Sequence, residues 1–317
     1  MTDSTQNKRR KNSDKRQSRR KTPWAVRWLR FSIAVLDTVS PRWGARRAYR
    51  MWFTSPRYAE PPREQRWREQ AQVNFIEHEY GPLAVYRWGQ GPAVLLVHGW
   101  SGRGTQMGAF AAPLVKRGYS AVAFDAPGHG RSAGTETDGF QVAAALAAVA
   151  EQYGPLNAVI VHSFGTMATT LAMHQGLSAN KVVCISAPTS LQYLVDRFCQ
   201  TLRLSHKTKA LMVQMLENDF GKDIWQRIES DLLVQDSAIP ALIIHDKDDL
   251  DVPWQWSERL AKAWPNSHFW LTEGLGHRRI LRNRAVIDSV CEFVVNGQVP
   301  DPTQSEPGVL LTTSRDA

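Results

Sequence analysis

Cysteine is scarce in this chain, and its few copies are scattered. The sequence holds only three, at Cys184, Cys199 and Cys291, with no Cys-x-x-Cys pair. Because histidines at metal-ligand spacing are also missing, neither a disulfide framework nor a zinc site is expected. Cysteine usage of this kind is typical of a reducing compartment, so a cytoplasmic protein is expected. A glycine-rich phosphate loop is lacking too, and we expect no cofactor and no metal.

Long apolar runs are also absent from the sequence. The uncharged apolar run near the N-terminus stops at Asp37 and is too short to span a bilayer. The basic region before it is long for a signal peptide, and no clear small-residue cleavage site follows. The sequence therefore predicts neither a membrane span nor a cleaved leader.

Acidic residues are few in the N-terminal region, where basic residues are concentrated. Residues 1–70 contain 19 Lys and Arg against 6 Asp and Glu, a net charge of +13, whereas the whole chain carries +9. The rest of the chain therefore carries −4. Since the excess charge belongs to an N-terminal appendage, it gives little information about a site in the body.

The basic region divides into a polar tail, residues 1–22, which is expected to be disordered, and a helical segment, residues 23–70. Five apolar residues of that segment recur at helical spacing: Trp24, Trp28, Phe31, Val35 and Leu36. The first four are the expected apolar face of an interfacial helix. Three interpretations of this region remain open. The segment is either a pair of helices, broken near Pro41 and packed on the body, or an interfacial helix that contacts anionic lipid at a membrane surface. Nonspecific phosphate contact by the tail is a third option, but no nucleic-acid recognition motif accompanies it.

The body of the chain, from residue 73, alternates short apolar runs with helical patterns. Runs such as AVLLVH (93–98) and ALIIHD are continuous, as is typical of strands buried on both faces. Two alternating runs separated by Gly81-Pro82 predict an antiparallel pair. The alternation predicts an α/β fold with a mostly parallel sheet flanked by helices. Ligands of such sheets bind at the carboxyl ends of the strands.

Ser163 lies at one of these strand ends, in the segment HSFG between a strand pattern and a helix pattern. A nucleophile elbow has this form, with small residues two positions before and two positions after the serine. Gly165 fits the second position, but Val161 occupies the first, and Thr166 stands where another glycine often follows. Either compensating small neighbours such as Ala187 accommodate this elbow, or its geometry is distorted.

Several segments, in this order, resemble loops of the α/β-hydrolase superfamily: VHGW (97–100), FDAPGHGRS (124–132), HSFG, and HDKDDLDVP (245–253) with GLGH (274–277). The resemblance covers about residues 73–296. It implies an α/β-hydrolase core at 71–188 and 240–297 and a helical cap at 189–239. We further expect a disordered tail at 298–317.

The resemblance also implies a catalytic triad of Ser163, His277 and Asp249. In the superfamily's pattern the triad acid lies four residues after a histidine and precedes a Val-Pro pair. His245 and Val252-Pro253 match that pattern, so the resemblance implies Asp249 among its neighbouring carboxylates, with Asp248 as the alternative. The others, Asp246 included, are expected to be solvated loop or cap residues. The backbone N–H groups of Trp100 and Phe164 are the expected oxyanion donors.

Histidines outside the triad are expected to be structural. His98 and His129 belong to the resembling loops and should bond to backbone near the site. His162, next to the nucleophile, should face away from it, because side chains alternate along a strand. The cap has apolar stripes from which four residues are candidates to contact an apolar substrate: Phe198, Met212, Met215 and Trp225.

These observations favour a serine hydrolase that cleaves a small carboxylic ester or thioester through an acyl-enzyme. An acyltransferase, or another reaction on the same triad, is an alternative on the same fold. A noncatalytic membrane-associated binding protein is an alternative of a different class.

Overall fold

The computed structural model describes residues 24–299 and 310–312, and the following elements lie within them. The strands are β1 Gln72–Ile76, β2 Leu83–Trp88, β3 Ala93–Val97, β4 Ser120–Phe124, β5 Leu156–His162, β6 Val182–Ile185, β7 Ala241–Asp246, β8 Ser267–Thr272 and β9 Leu310–Thr312. The helices are α1 Trp24–Val39, α2 Pro41–Phe53, α3 Pro62–Glu69, α4 Ala111–Lys116, α5 Gly139–Tyr153, α6 Gly165–His174, α7 Leu191–Leu202, α8 His206–Phe220, α9 Ile224–Arg227, α10 Ser230–Leu233, α11 Gln255–Ala263, α12 Gly276–Arg279 and α13 Arg284–Asn296. Short 3₁₀ helices occupy Gly104–Phe110 and Ile280–Arg282.

All of these strands form one sheet, in the order β1-β2-β4-β3-β5-β6-β7-β8-β9. The six strands β3 to β8 run parallel to one another, as the alternating pattern predicted. The chain places β4 on one side of β3 and β5 on the other. The direction in which strands are added to the sheet therefore reverses at β3. In parallel sheets of this kind the crevice at such a reversal is the usual ligand site. The loops after β3 and β5 meet there.

Antiparallel strands close both edges of the sheet. β1 pairs antiparallel with β2, which confirms the pair predicted around Gly81-Pro82. At the other edge β9 pairs antiparallel with β8. The prediction of a disordered tail was therefore wrong for residues 310–312, because the edge of β8 offers backbone partners to Leu310, Leu311 and Thr312. Residues 300–309 and 313–317 lie outside the described residues.

The parallel strands form the core, which explains their continuous apolar sequences. Every residue of β3 and β4, and every residue of β7, is buried. One core cluster joins side chains of the sheet to the helices on one face, and includes Val94, Leu96, Ile160, Val183, Leu242, Phe110, Leu114, Val290 and Phe293. Burial on both faces holds the strands in register, so that their carboxyl ends are level and the loops beyond them have fixed starting points.

The described chain divides into two compact units. One contains residues 50–195, 217–299 and 310–312 and includes the whole sheet. The other contains residues 24–49 and 196–216, that is α1, most of α2, and parts of α7 and α8. The break predicted near Pro41 is present, since α1 ends at Val39 and α2 begins at Pro41. Residues 1–23, which hold the predicted basic tail, lie outside the described residues.

Candidate active site

Ser163 follows β5 directly and lies on a sharp turn into α6. Its backbone has a positive φ of 54°, which is uncommon for a residue with a side chain. Two backbone bonds hold this conformation: the Ser163 N–H donates to Ile185 O at 2.9 Å, and Ser163 O accepts from the Thr166 N–H at 2.9 Å. A strained backbone that its neighbours hold in place is a common feature of functional sites. The turn raises the Ser163 hydroxyl beyond the end of the sheet.

Two glycines allow the chain to pack tightly around this turn. A Cβ atom at Gly99 would lie 2.8 Å from the Cβ of Ser163, so only glycine brings the loop after β3 this close to the serine. A Cβ atom at Gly165 would lie 2.6 Å from the carbonyl oxygen of His98 and 2.9 Å from Cγ2 of Val161. Val161 is fully buried and stays in register between Val97 and Cys184. The valine that departs from the expected elbow pattern is thus accommodated because Gly165 has no side chain.

Replacing Val161 with glycine tests how much the elbow depends on this residue. We expect the free energy of unfolding to fall by about 3 kcal/mol, since a buried side chain is lost and the strand gains backbone freedom. We expect ester turnover to be kept, because the backbone bonds that hold Ser163 remain. Denaturant titration and turnover of a soluble ester measure both effects, with Val161→Ala as the matched control. A folded Val161→Gly protein without activity would show that the valine holds the turn in place.

His277 comes to Ser163 from the loop after β8, where it lies in the short helix α12. Its Nε2 atom is 3.0 Å from the Oγ atom of Ser163. Its Nδ1 atom is 2.7 Å from Oδ2 of Asp249. Because Asp249 can only accept at that position, Nδ1 carries the hydrogen and Nε2 is left to accept the proton of the Ser163 hydroxyl. The structure therefore brings the three predicted triad side chains into one chain of hydrogen bonds.

Asp249 is buried and holds further partners. Its Oδ1 atom accepts from the backbone N–H groups of Asp251 and Val252, each at 2.9 Å, and His245 Nε2 lies 3.2 Å from Oδ2. Burial by itself raises the pKa of the Asp249 carboxyl. The hydrogen bonds from His245 and His277, together with the electrostatic interaction with His277, outweigh burial and hold the pKa of the Asp249 carboxyl well below its usual value. Asp249 therefore stays ionised beside His277 at neutral pH.

His245 is a part of the site that sequence reasoning used only to set the register. Its Nε2 atom faces two acceptors, Asp249 Oδ2 and the carbonyl oxygen of Val252 at 3.0 Å, so this nitrogen carries a hydrogen. Its Nδ1 atom lies 2.6 Å from Oγ of Ser257 in α11. The ring is fully buried and is held at both nitrogens, so it fixes the position of the Asp249 carboxylate.

Asp246 corrects a second expectation from the sequence, which treated it as a solvated carboxylate. It is fully buried, and its two oxygens accept from Thr272 Oγ1 at 2.7 Å, from the Leu275 N–H at 3.0 Å and from the Gly276 N–H at 2.7 Å. These bonds tie the loop that carries His277 to the end of β7. The sequence contained a signal for this role, because Asp246 stands where the resembling α/β-hydrolase loop usually has glycine.

His162 also contributes more than the sequence suggested. Its Nε2 atom lies 2.9 Å from the carbonyl oxygen of His277, and the two rings are 4.7 Å apart. Burial first, and the nearby His277 second, lower the pKa of His162 well below its usual value, so the ring is neutral and its N–H donates to that carbonyl. That the His162 side chain faces away from Ser163 stays a prediction; its ring packs against the ring of His277, which contacts Ser163. The sequence pattern did not indicate that His277 would accept a hydrogen bond from His162 as well as contact Ser163.

The predicted oxyanion donors lie next to Ser163 along the chain and in the loop after β3. Within the part of the chain that the structure describes, neither the Trp100 N–H nor the Phe164 N–H is engaged by a protein acceptor. The Trp100 ring packs edge-on against the Phe164 ring, with centroids 5.3 Å apart and planes at 84°. Both side chains are half-buried. The two amides are therefore free to bond to a ligand.

His98 and His129 are structural, as the sequence predicted. His98 accepts from the Ala126 N–H at 3.0 Å and contacts its neighbour Gly99 O at 2.7 Å. His129 accepts from the Ser101 N–H at 3.1 Å. Burial lowers the pKa of His98 to about 4 and that of His129 to about 3. Both rings are thus neutral at neutral pH and fix the loop that carries Trp100.

The four cap residues predicted to contact substrate are placed in different units. Phe198, Met212 and Met215 belong to the unit that contains α1, and Met212 is fully buried. Trp225 belongs to the unit of the sheet, where its indole N–H donates to Glu217 Oε1 at 2.9 Å. A role for these residues in binding substrate stays a prediction.

Comparison with known proteins identifies the family and the fold of this chain. The model of the alpha/beta hydrolase family matches residues 94–289, which include Ser163, Asp249 and His277. A comparison with curated protein sequences finds no match. The solved structures named below are each at most 18% identical to this chain, and they support the fold alone.

Three of these structures indicate the range of proteins on this fold. A thioesterase domain from the curacin biosynthetic pathway is 17% identical, with a TM-score of 0.54, covering 71% of this chain and 99% of its own. An esterase from Exiguobacterium antarcticum is 17% identical, with a TM-score of 0.56, covering 70% and 99%. A bromoperoxidase from Bacillus anthracis is 18% identical, with a TM-score of 0.54, covering 71% and 99%. With the family model matching well over half of the chain, this protein belongs to the alpha/beta hydrolase family.

Proposed function

We propose that this protein is a serine hydrolase that cleaves a carboxylic ester or thioester through an acyl-enzyme. The observation that carries the proposal is the chain of hydrogen bonds from Ser163 Oγ through His277 to Asp249, with distances of 3.0 Å and 2.7 Å. A serine hydroxyl is a weak nucleophile until a neighbouring base takes its proton. His277 is in reach to do so, and the ionised Asp249 stabilises the imidazolium that forms.

In the first half of the reaction, Ser163 Oγ attacks the carbonyl carbon while its proton moves to His277 Nε2. The carbonyl oxygen becomes an oxyanion, and the amides of Trp100 and Phe164 are the donors for it. When the bond to the leaving group breaks, His277 returns its proton to the departing alcohol or thiol. The acyl group is then bound to Ser163 as an ester.

In the second half, water takes the place of the alcohol. His277 removes a proton from the water as its oxygen attacks the acyl carbon, and a second tetrahedral intermediate forms at the same two amides. Its collapse releases the carboxylic acid and returns the proton to Ser163. The supports that we found around the triad serve this cycle, because Asp246, His245 and His162 hold the His277 loop and the carboxylate while protons move.

The hydrolase proposal is favoured over a noncatalytic binding protein by the free state of the two amides. A noncatalytic protein would not require two backbone N–H groups without protein acceptors beside an aligned serine and imidazole. The neighbouring structures, an esterase and a thioesterase among them, support an acyl substrate at the level of the fold only.

A fluorophosphonate probe tests the proposal directly, because it phosphonylates only a serine that an adjacent base activates. We expect the full chain to be labelled on Ser163 in the folded state and not after heat denaturation. Mass spectrometry of the digested adduct identifies the residue. Absence of labelling in folded protein, or labelling on another serine, would contradict the proposal. Turnover of p-nitrophenyl esters of increasing chain length then measures which acyl groups are accepted.

A further inference from the structure

Helix α1 has two apolar faces, and only one of them packs inside its own unit. On the packed face Ile33 is buried, Arg30 Nε donates to the carbonyl oxygen of Thr201 at 2.7 Å, and the Asp37 carboxylate accepts from the Thr208 hydroxyl. These contacts join α1 to α7 and α8 and fix its rotation about the helix axis. The direction of the other face is therefore a consequence of the packing within the unit.

The other face, which we name the aromatic face, is exposed. It consists of Trp24, Trp28, Phe31 and Val35, which are 76%, 64%, 60% and 44% exposed. Their spacing of four, three and four residues places them in one stripe along the helix. The Trp28 and Phe31 rings meet edge-on with centroids 5.8 Å apart. The three aromatic side chains and Arg27 line an open groove. A contiguous exposed apolar patch of this size indicates a surface that binds another molecule or a membrane.

The charge around the aromatic face favours an anionic partner. Residues 24–49 and 196–216, the described part of this unit, contain nine Lys and Arg and only two Asp. Both aspartates are engaged, Asp37 by Thr208 and Asp196 by Lys209 at 2.7 Å. The exposed arginines of α1 and α2 include Arg27, Arg42 and Arg46. A second copy of this unit would bring like charges together, which disfavours self-association through this face.

Three points favour a lipid surface over nucleic acid as the anionic partner. The stripe continues into Val39, which is 67% exposed, and aliphatic side chains gain nothing from stacking on nucleic-acid bases. Tryptophan has an apolar body and a polar N–H, which suits the boundary between headgroups and acyl chains. Finally, α1 is only 16 residues long, and no helix among the described residues has the length and apolar content required to cross a bilayer. A short helix that exposes an apolar face between basic residues lies in the plane of the interface.

We propose that the aromatic face of α1 docks this protein on the surface of an anionic lipid bilayer. The four apolar side chains enter the headgroup boundary, and the arginines of α1 and α2 contact lipid phosphates. This role is independent of the proposed hydrolase chemistry, whose residues all belong to the other unit.

Vesicle co-sedimentation of the full chain tests the proposal without measuring catalysis. The probes are vesicles of phosphatidylcholine alone and vesicles of an equimolar mixture of phosphatidylcholine and phosphatidylglycerol. We expect the chain to sediment with the mixed vesicles at low salt, and to be released in part by high salt because exposed charges are screened. A protein that stays in the supernatant, or that binds both vesicles equally at every salt concentration, would overturn the proposal.

Two variants separate the apolar from the electrostatic contribution. Trp28→Ser with Phe31→Ser removes the centre of the aromatic face, and we expect affinity for mixed vesicles to fall by about tenfold or more. Arg42→Gln with Arg46→Gln should also weaken binding, and should reduce its dependence on salt. The matched control is Phe75→Ser in β1, which removes a phenylalanine that is 52% exposed in the other unit and should leave binding unchanged.

If the aromatic face binds a second copy or a nucleic acid instead, the same variants give different results. If the serine pair leaves vesicle binding intact but dissociates a dimer in analytical ultracentrifugation, the face contacts a second copy and the proposal fails. The proposal also fails if the serine pair abolishes binding to single-stranded DNA and not to vesicles. Circular dichroism confirms that each variant is folded, which we expect because the substituted side chains are exposed.

Discussion

Replacing Ser163 with alanine is expected to lower kcat for a soluble ester by about 10⁴-fold or more, with little change in stability. The substitution removes the hydroxyl that lies 3.0 Å from His277 Nε2, while the fold does not depend on that hydroxyl. Any remaining rate comes from the oxyanion donors and from substrate binding. Steady-state kinetics and thermal unfolding measure the two quantities.

A matched control for this variant lies at the end of the neighbouring strand. Ser186 follows β6 with a positive φ of 55°, is buried, and has a hydroxyl without a hydrogen-bond partner among the described residues. Ser186→Ala should therefore keep full turnover. His277→Ala should lose activity as completely as Ser163→Ala, because the two act as a unit. Unchanged turnover in folded Ser163→Ala protein would exclude Ser163 as the nucleophile.

Replacing Asp249 with asparagine is expected to lower kcat by about 10⁴-fold while the protein stays folded. The amide nitrogen of asparagine donates to His277 Nδ1, so the hydrogen of the imidazole moves to Nε2. That nitrogen then faces the Ser163 hydroxyl with a donor and cannot accept its proton. Turnover of the same ester measures the loss.

The adjacent carboxylate provides the control for this substitution. Asp248 is exposed, and its Oδ2 atom accepts from the Gly274 N–H at 3.0 Å. Asp248→Asn should keep turnover within a few-fold, since its carboxylate does not orient His277. A loss in Asp248→Asn as large as in Asp249→Asn would contradict the assignment and return Asp248 to consideration.

The fold and the main candidate residues followed from local sequence patterns. Continuous apolar runs identify strands buried on both faces, and the helices between them require a mostly parallel sheet. Because the loops at the carboxyl ends of parallel strands share one edge, Ser163, His277 and the aspartates after β7 were expected to meet. The resemblance to the α/β-hydrolase superfamily then implied Asp249 among those aspartates. Each of these inferences depends on residues that are neighbours along the chain, which a sequence displays directly.

Only the tertiary structure decided how the site is supported and which surface is left open. His162 and His277 are 115 positions apart, and Asp246 and Gly276 are 30 apart. The sequence determined that α1 is amphipathic, but both the aromatic stripe and the opposite face that carries Ile33 fit a buried face. Packing against α7 and α8 selected the second, so the tryptophans face outward. The physical reason is the same in each case: such contacts depend on the full geometry of packed elements, and no local pattern of residue types specifies it.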